Sequence, residues 1–356
     1  MTPNSLQAEA LATPFFGKEA LESEVPAFGI HNRRFLGNKY KLLTFIESVI
    51  NAQVGKFSSI CDIFAGTGAV GAHFNAPNVK VISNDILASS HVSLKAFLST
   101  TKINQKLLAD QIDHLNAMPA LGNYFSRHFG GTYFTNENAK KIGTIREEID
   151  VIAPGKHRDL LLASLLYATD KVANTVGHYD AYRKKIDMHM PVRLRIPNIA
   201  TTQNPTNQIY RKDANQLVRE IECDVLYLDP PYNSRQYSDC YHLLENLVEW
   251  KQPKLFGKAK KMDRTGLKSA YCRREAKDAL ADLIEKAQTK HILLSYNNTG
   301  DSKDGRSNAR ISDDEITKML KRRGKVRIFE QTYRAFTTGR SGTQGHTERL
   351  FYCKVM

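Results

Sequence analysis

The residues most able to do chemistry are Asp229, Pro230, Pro231 and Tyr232, which directly follow an apolar run at 225–228. The run predicts a buried strand, and two successive prolines can neither continue a strand nor enter a helix interior. In open α/β sheets, ligands bind beyond the carboxyl ends of the strands. Asp229 and the Pro230 carbonyl could accept both hydrogens of an exocyclic amine, and Tyr232 could stack on its ring. The tetrapeptide therefore indicates a site for a flat, amino-bearing base, although a strand followed by a plain proline turn has the same pattern.

A second motif runs from a predicted strand into a small-residue loop that contains Gly66 and Gly68. Glycines permit a tight turn and a close approach of the backbone to a ligand, and Asp62 sits where a carboxylate could meet a cationic group. The next predicted strand, 79–84, is followed by Asp85, and an acid at that position suits a ribose diol. The loop lacks the Gly-x-x-x-x-Gly-Lys-Ser/Thr pattern, which disfavours a P-loop nucleotidase. On its own, the loop fits a plain strand-to-helix turn equally well.

Three ordered blocks of the chain together resemble the S-adenosylmethionine-dependent DNA adenine-N6 methyltransferases of the Dam-like type (D12 class). The blocks are, in chain order, residues 33–43 (Arg-Arg-Phe-Leu-Gly-Asn-Lys-Tyr-Lys-Leu-Leu), the 62–68 loop with Asp85, and residues 229–232. Within the resemblance, which covers most of 30–356, residues 170–177, 229–237 and 241–245 are similar to the methyltransferases of FokI-like restriction–modification systems.

This resemblance implies an α/β architecture, the Rossmann-like methyltransferase fold, with a mixed seven-stranded sheet, helices on both faces and a large helical insertion. It implies a site-specific enzyme that methylates a flipped adenine in double-stranded DNA as the modification component of a restriction–modification system. The implied catalytic residues are Asp229, Pro230, Pro231 and Tyr232. The predicted S-adenosylmethionine-binding residues are Phe35, Lys39, Asp62, Phe64, Gly66, Gly68, Asp85 and Asp213. Asp213 could equally cap a helix at 214–221. We expect no metal, because a methyl group on a sulfonium is already activated.

Hydrophobic periodicity divides the chain into three parts. We expect a loosely ordered lead-in at 1–28, a catalytic domain formed by 29–85 and 206–356, and a mostly helical insertion at 86–205 to which the resemblance assigns target recognition. Within the catalytic domain we predict strands at about 58–64, 79–84, 225–228, 290–296, 325–333 and 348–355, and helices at about 39–51, 214–221, 274–288 and 312–322.

The charge distribution points to a phosphate-bearing partner. Lysine and arginine number 51 against 37 acids, a net charge of +14, and a positive field attracts nucleic-acid backbones. A basic run follows the predicted active-site strand, and we take Lys258, Lys260 and Lys261 as its phosphate contacts, although a solvated loop would have the same composition. Aromatic and basic residues also alternate at 178–185, where Tyr182 and Arg183 are the predicted DNA contacts.

The five cysteines are odd in number and include no Cys-x-x-Cys pair, which argues against a zinc site and a disulfide scaffold. With no apolar stretch of about 18 residues, we expect a cytoplasmic protein that acts without a membrane, as a monomer, with a cognate restriction endonuclease encoded nearby. Two alternatives stay open: an RNA base methyltransferase with the same Asp-Pro-Pro-Tyr site, and a DNA-binding protein that keeps only a decayed cofactor fold.

Overall fold

A computed structural model of the chain describes residues 27–99, 102–187, 189–199, 204–231, 234–297, 310–332 and 347–356. Tyr232, one of the predicted catalytic residues, lies outside these ranges. Residues 1–26 of the predicted lead-in also lie outside them.

A mixed sheet of seven strands forms the centre of the described structure. The strands are β1 (Ser59–Asp62), β2 (Lys80–Asn84), β3 (Gln208–Tyr210), β4 (Glu222–Leu228), β5 (Gln288–Asn297), β6 (Gly324–Thr332) and β7 (Thr347–Val355). Their order across the sheet is β3-β2-β1-β4-β5-β7-β6. The first five strands of this order are parallel, whereas β7 pairs antiparallel with both β5 and β6. The predicted fold class, a mixed seven-stranded α/β sheet, is confirmed.

Twelve α-helices accompany the sheet in the described residues. They are α1 (Leu43–Gln53), α2 (Ala69–His73), α3 (Ala88–Leu98), α4 (Gln105–Ala117), α5 (Tyr124–Phe129), α6 (Asn136–Ile152), α7 (Gly155–Val172), α8 (Ala214–Leu217), α9 (Tyr237–Cys240), α10 (His242–Glu249), α11 (Ala276–Lys286) and α12 (Asp313–Lys321). The start of α12 shows how local sequence sets these bounds: Ser312 and Glu315 form a reciprocal capping box, which satisfies free backbone N–H groups of the first turn.

Strand β4 is buried on both faces, as its continuous apolar sequence predicts. Val225 and Tyr227 pack in the core that α1 covers, whereas Leu226 and Leu228 pack in the core that α11 and α12 cover. A strand held from both sides and paired with β1 and β5 is a rigid support. It fixes the position of the residue that follows it, Asp229.

The helices α3 to α7 share a third hydrophobic core with α10, which follows β4 in the chain. Helix α3, which lies within the predicted insertion, also contacts β3 of the sheet. Phe28, which we placed in the loose lead-in, belongs to this core: its ring stacks on Tyr167 at 4.3 Å, and its backbone N–H and C=O pair with the 196–198 segment. Order therefore begins no later than Phe28, because an aromatic ring buried on both sides is fixed by its contacts.

Candidate active site

The acids predicted to line the cofactor and base sites meet at one edge of the sheet. Asp62 ends β1, Asp85 follows β2 and Asp229 follows β4, and these strands are parallel neighbours. A cavity of about 970 Å³, including its open mouth, lies at this edge and is lined by all three acids. Six further residues of the predicted cofactor and base sites line it: Phe35, Lys39, Phe64, Gly66, Asp213 and Pro231.

Lys39 contacts the carboxylate of Asp229, the predicted catalytic acid, directly. Its Nζ lies 2.8 Å from Oδ1 of Asp229, and both side chains are largely buried, at 6% and 16% exposed. Lys39 belongs to the N-terminal block and was predicted to bind the cofactor, so the pairing links two blocks that are far apart in sequence. Burial raises the pKa of Asp229 to about 6, while the Lys39 ammonium opposes that rise.

Two residues that we did not predict, Glu348 and Ser295, stand beside this pair. Oε1 of Glu348 lies 3.6 Å from the Lys39 ammonium and accepts a hydrogen bond from the Ser295 hydroxyl at 2.5 Å. Because β7 runs antiparallel to β5, its first residues lie at the edge where β5 ends, with Glu348 opposite Asn297. The sequence does place an acid, Glu348, at the start of a predicted buried strand. Recognising it as a site residue, however, requires the direction of that strand.

The other two acids of the cavity are in surroundings that disfavour their charged forms. Burial raises the pKa of Asp62 well above its usual range, and the neighbouring Asp229 and Asp85 raise it further. Burial also raises the pKa of Asp85 to about 7, against the backbone N–H groups of Leu87 and Gly66, which lower it. Several acids with one adjacent ammonium form a site that favours a cationic ligand.

The glycine-rich loop is shaped by Asp85 and by Phe35. Oδ2 of Asp85 accepts the Gly66 N–H at 2.9 Å, and Oδ1 accepts the Leu87 N–H at 2.8 Å. Gly66 has φ +54°, and a Cβ added there would lie 2.8 Å from the Phe35 ring. Gly68 does not line the cavity; it has φ +85°, and a Cβ there would meet Ile30 and Leu94 at 2.6 Å. Gly68 therefore serves the turn and its packing on the core.

Phe35 is the first layer of an aromatic wall of the cavity. Its ring stacks on Tyr241 with centroids 4.8 Å apart, and Tyr237 lies tilted at 5.4 Å. The hydroxyl of Tyr241 accepts the Leu36 N–H at 2.7 Å, and that of Tyr237 donates to the Leu36 carbonyl at 3.2 Å. The helices after β4 thus hold the N-terminal block in place.

Phe64 and Asp213 line the cavity as well and are held by other contacts. The Phe64 ring packs edge-on against Tyr271 with centroids 4.9 Å apart. Oδ1 of Asp213 accepts the backbone N–H groups of Asn215 and Gln216, at 2.9 and 3.1 Å, and so caps α8. Because Asp213 also lines the cavity, the cap fixes a carboxylate at its rim.

Two buried oxygens that line the cavity lack a hydrogen-bond partner among the described residues: Asp62 Oδ1 and Ser238 Oγ. Buried polar groups are normally paired, so these atoms favour a ligand that brings its own donors and acceptors. S-adenosylmethionine offers an ammonium, a sulfonium and a ribose diol, and the acidic, partly aromatic lining fits such a molecule. Ser238 was not predicted, because a serine in a helical turn has no distinguishing pattern.

Comparison with known proteins agrees with this geometry. The model of the D12 class N6 adenine-specific DNA methyltransferases matches residues 35–298. The chain belongs to this family. The methyltransferase is 32% identical to the Type II methyltransferase M.NlaIII of Neisseria lactamica, over 88% of its own length and 95% of that protein's. It is 33% identical both to M.FokI of Planomicrobium okeanokoites and to the modification methylase StsI of Streptococcus sanguinis, over 85% and 90% of its length.

The chain spans about half the length of two of these relatives, 49% of M.FokI and 51% of StsI. The family assignment selects DNA over the RNA alternative and identifies S-adenosylmethionine as the methyl donor. Among the described residues, no group of three or more His, Cys, Asp and Glu side chains is placed to hold a metal ion. The five cysteines are buried free thiols, and no helix of the described ranges is long and apolar enough to cross a membrane.

The first two prolines after Asp229 differ in exposure. Pro230 is buried and does not line the cavity, whereas Pro231 is half-buried and does. The predicted stacking residue, Tyr232, lies outside the described residues.

The residues predicted to contact DNA fall on two segments that touch each other. Lys261 forms an ion pair with Asp180, which lies in the 178–185 segment, and its Nζ is 3.7 Å from Asp239. Lys258 is exposed and Lys260 half-buried in a short hairpin closed by backbone hydrogen bonds between Phe256 and Lys261. Lys261 is therefore partly neutralised, and Lys258 and Lys260 are the better candidates for phosphate contact.

Tyr182 and Arg183 differ in how they are held. The Tyr182 ring packs edge-on against Tyr133 with centroids 5.0 Å apart, and the Arg183 backbone N–H donates to the Asn174 carbonyl at 3.0 Å. Asn174 Nδ2 donates in turn to the Arg183 carbonyl at 3.0 Å. The Arg183 side chain is exposed, so a backbone fixed by two hydrogen bonds presents the guanidinium to solvent.

Proposed function

We propose that this methyltransferase methylates the N6 amine of adenine at a specific site in duplex DNA, as the modification component of a restriction–modification system. The observation that carries the proposal is the placement of Asp229, at the end of β4, in a cavity that Asp62, Asp85 and Phe35 also line. The similarity to M.FokI and StsI supports the restriction–modification role. A cognate endonuclease and action as a monomer stay predictions.

In this proposal, Asp229 activates the amine. The N6 lone pair of adenine is delocalised into the ring, which makes the amine a poor nucleophile. A carboxylate that accepts one of its hydrogens, together with the Pro230 carbonyl for the other, favours a more tetrahedral nitrogen with an available lone pair. Asp229 is the stronger acceptor when ionised, and the adjacent Lys39 ammonium, 2.8 Å away, favours that form.

The cofactor supplies a methyl group on a sulfonium, and the chain's residues orient it. Asp85 would face the ribose, and Asp62, whose Oδ1 has no partner among the described residues, would accept from the ammonium. Phe35, Phe64 and the glycine loop form the apolar and backbone walls. Alignment of the amine with the methyl carbon then supplies much of the rate, and the amine proton leaves to Asp229 or to solvent.

The target amine is inaccessible in a stacked duplex, so the adenine must be flipped out at a cost of a few kcal/mol. We propose that Tyr232 recovers part of this by stacking, worth about 1–3 kcal/mol on aromatic platforms. Lys258 and Lys260 would hold phosphates, whereas Tyr182 and Arg183 would contact bases. The helices within 86–205 would carry this target recognition.

The test is methyl incorporation from labelled S-adenosylmethionine into duplex DNA and into structured RNA, with sequencing that detects N6-methyladenine. We expect methylation of adenine in duplex DNA at one sequence. Asp229→Ala should lower single-turnover rates by about 100-fold or more, as the loss of one electrostatic contact does elsewhere. The matched control is Asp224→Ala, which removes a carboxylate from the other end of β4, where it pairs with Lys290.

Two results would contradict the proposal. One is methylation of RNA but not of duplex DNA by the wild-type protein. The other is an Asp229→Ala protein that keeps more than about a tenth of the rate at saturating cofactor, since the chemistry would then not depend on that carboxylate.

A further inference from the structure

Behind the Lys39–Asp229 pair lies a second set of buried groups, contributed by the strands β5 and β7. Ser295 on β5 donates its hydroxyl hydrogen to Glu348 Oε1 at 2.5 Å, and the same oxygen lies 3.6 Å from the Lys39 ammonium. Ser295 and Glu348 are both buried. The groups therefore form a line from the sheet interior to the catalytic carboxylate: Ser295, Glu348, Lys39 and Asp229.

The sheet register fixes the inner half of this line. Ser295 is paired with Leu350 and Asn297 with Glu348, so Ser295 and Glu348 are diagonal neighbours on the antiparallel β5–β7 pair. Diagonal residues of such a pair are within reach of long side chains. Because β7 is paired on both sides, the Glu348 carboxylate is carried by a rigid element.

The chemistry gives a reason for a second carboxylate at Lys39. When the adenine amine donates to Asp229, that carboxylate must share its lone pairs between the amine and the ammonium. Weakening the contact between a buried ammonium and an adjacent carboxylate is strongly unfavourable. Glu348 offers the ammonium a partner that does not contact the substrate, so Lys39 can stay in place while Asp229 turns to the amine.

We propose that Glu348, oriented by Ser295, is a positioning residue for methyl transfer: it anchors the Lys39 ammonium and so controls how Asp229 is oriented and charged. This inference rests on the proposed role of Asp229. It concerns the support of that carboxylate, whereas the proposed function concerns the reaction.

The charged and titratable groups that face Asp229 are known from the elements around it. They are Lys39 from the N-terminal block, Glu348 from β7, Asp62 from β1 and Tyr227 from β4. Glu348 raises the pKa of Asp229 and Lys39 lowers it. Removing the Glu348 charge while keeping its shape should therefore leave Asp229 ionised to a lower pH.

The experiment measures single-turnover methylation of cognate duplex DNA between pH 5 and 9, at saturating S-adenosylmethionine, so that product release does not mask the chemical step. Glu348→Gln should shift the acid limb of the pH–rate profile toward lower pH by about half a unit to one unit. It should also lower the plateau rate several-fold, because the Lys39 ammonium is anchored more weakly. Ser295→Ala keeps the charge of Glu348 but removes the hydrogen bond that orients its carboxylate. The acid limb should therefore shift toward lower pH by a smaller amount. Asp224→Asn, which removes a carboxylate that pairs with Lys290 at the far end of β4, is the control and should leave the limb in place.

The outcomes separate the two ideas. If wild-type protein does not methylate adenine in duplex DNA, the proposed function fails. If it does, and the acid limb of Glu348→Gln and Ser295→Ala stays at the wild-type pH or moves upward, the positioning role is refuted. Should Glu348→Gln not fold, Ser295→Ala decides alone, since a small hydroxyl deletion on a strand removes no charge.

Discussion

Replacing Lys39 by methionine is the most direct test of how the carboxylate of Asp229 is kept ionised. Methionine keeps most of the length and volume of the side chain but removes the ammonium that lies 2.8 Å from Asp229 Oδ1. The matched control is Lys290→Met, which removes an ammonium 2.7 Å from Asp224 at the other end of β4. We expect the first change, and not the second, to move the pH dependence of methylation.

The size of the effect follows from the pKa of Asp229. With Lys39 present, burial raises that pKa to about 6. An opposite charge within hydrogen-bond distance lowers an acid's pKa by about 1–3 units, so without Lys39 the pKa should rise to between about 7 and 9. At pH 7.5 the ionised fraction of Asp229 would fall from about 97% to between about 76% and about 3%. The rate at that pH should fall in proportion, and it should recover as the pH is raised above the new pKa.

The assay is single-turnover methylation across pH 5 to 10, at cofactor concentrations shown by calorimetric titration to be saturating for each variant. This separates the ionisation of Asp229 from the predicted contribution of Lys39 to cofactor binding, which the titration measures by itself. A profile of Lys39→Met whose acid limb coincides with the wild-type limb would refute the reasoning. So would an equal shift in Lys290→Met, because the effect would then come from net charge and not from the contact.

Three further predictions address the cofactor and the DNA. Asp85→Asn should weaken S-adenosylmethionine binding by about tenfold or more, since one charge-assisted hydrogen bond contributes about 1.5–3 kcal/mol, with duplex affinity unchanged; equal cofactor affinity in calorimetry would exclude Asp85 from the site. Replacing Lys258 and Lys260 by Ala should weaken binding to all duplexes alike and make the salt slope shallower by at most about 1.8, measured by titrations at several salt concentrations; a changed sequence preference would contradict a phosphate role. Arg183→Ala should reduce the discrimination between cognate and single-substitution duplexes by about 1–3 kcal/mol per base contact, and unaltered discrimination would remove Arg183 from recognition.

The parts of the site that sequence could predict are those set by local pattern. An apolar run ending in an acid places that acid at the carboxyl edge of a parallel strand, and this placed Asp62, Asp85 and Asp229 correctly beside one another. Hydrophobic periodicity predicts an element less reliably where that element is short. Strand β3 has three half-buried residues and pairs with β2 alone, so its alternation is too brief to recognise, and α8 ends at Leu217, four residues before the predicted 221.

The contacts between distant segments could not be predicted, because they depend on strand order and direction. The pairing of Lys39 with Asp229 joins the first block to the last, and Glu348 joins them only because β7 is antiparallel to β5. The same limit applies to Asp213, for which the sequence left a cap and a cofactor contact open. The structure forms the cap and places the carboxylate at the rim of the cavity, so one role does not exclude the other.

Counting basic residues overstates how much of the 254–274 run is available to DNA. Lys261 pairs with Asp180, and Arg264 pairs with Asp239 at 2.6 Å. These two cations therefore tie the basic run to the 178–185 segment and to α9, which follows β4 in the chain. Lys258 and Lys260 belong to a hairpin whose last residue is Lys261. We therefore predict that the phosphates held by Lys258 and Lys260 and the bases contacted from the 178–185 segment lie along one surface, which the Lys261–Asp180 ion pair joins, although the two kinds of contact differ in chemistry.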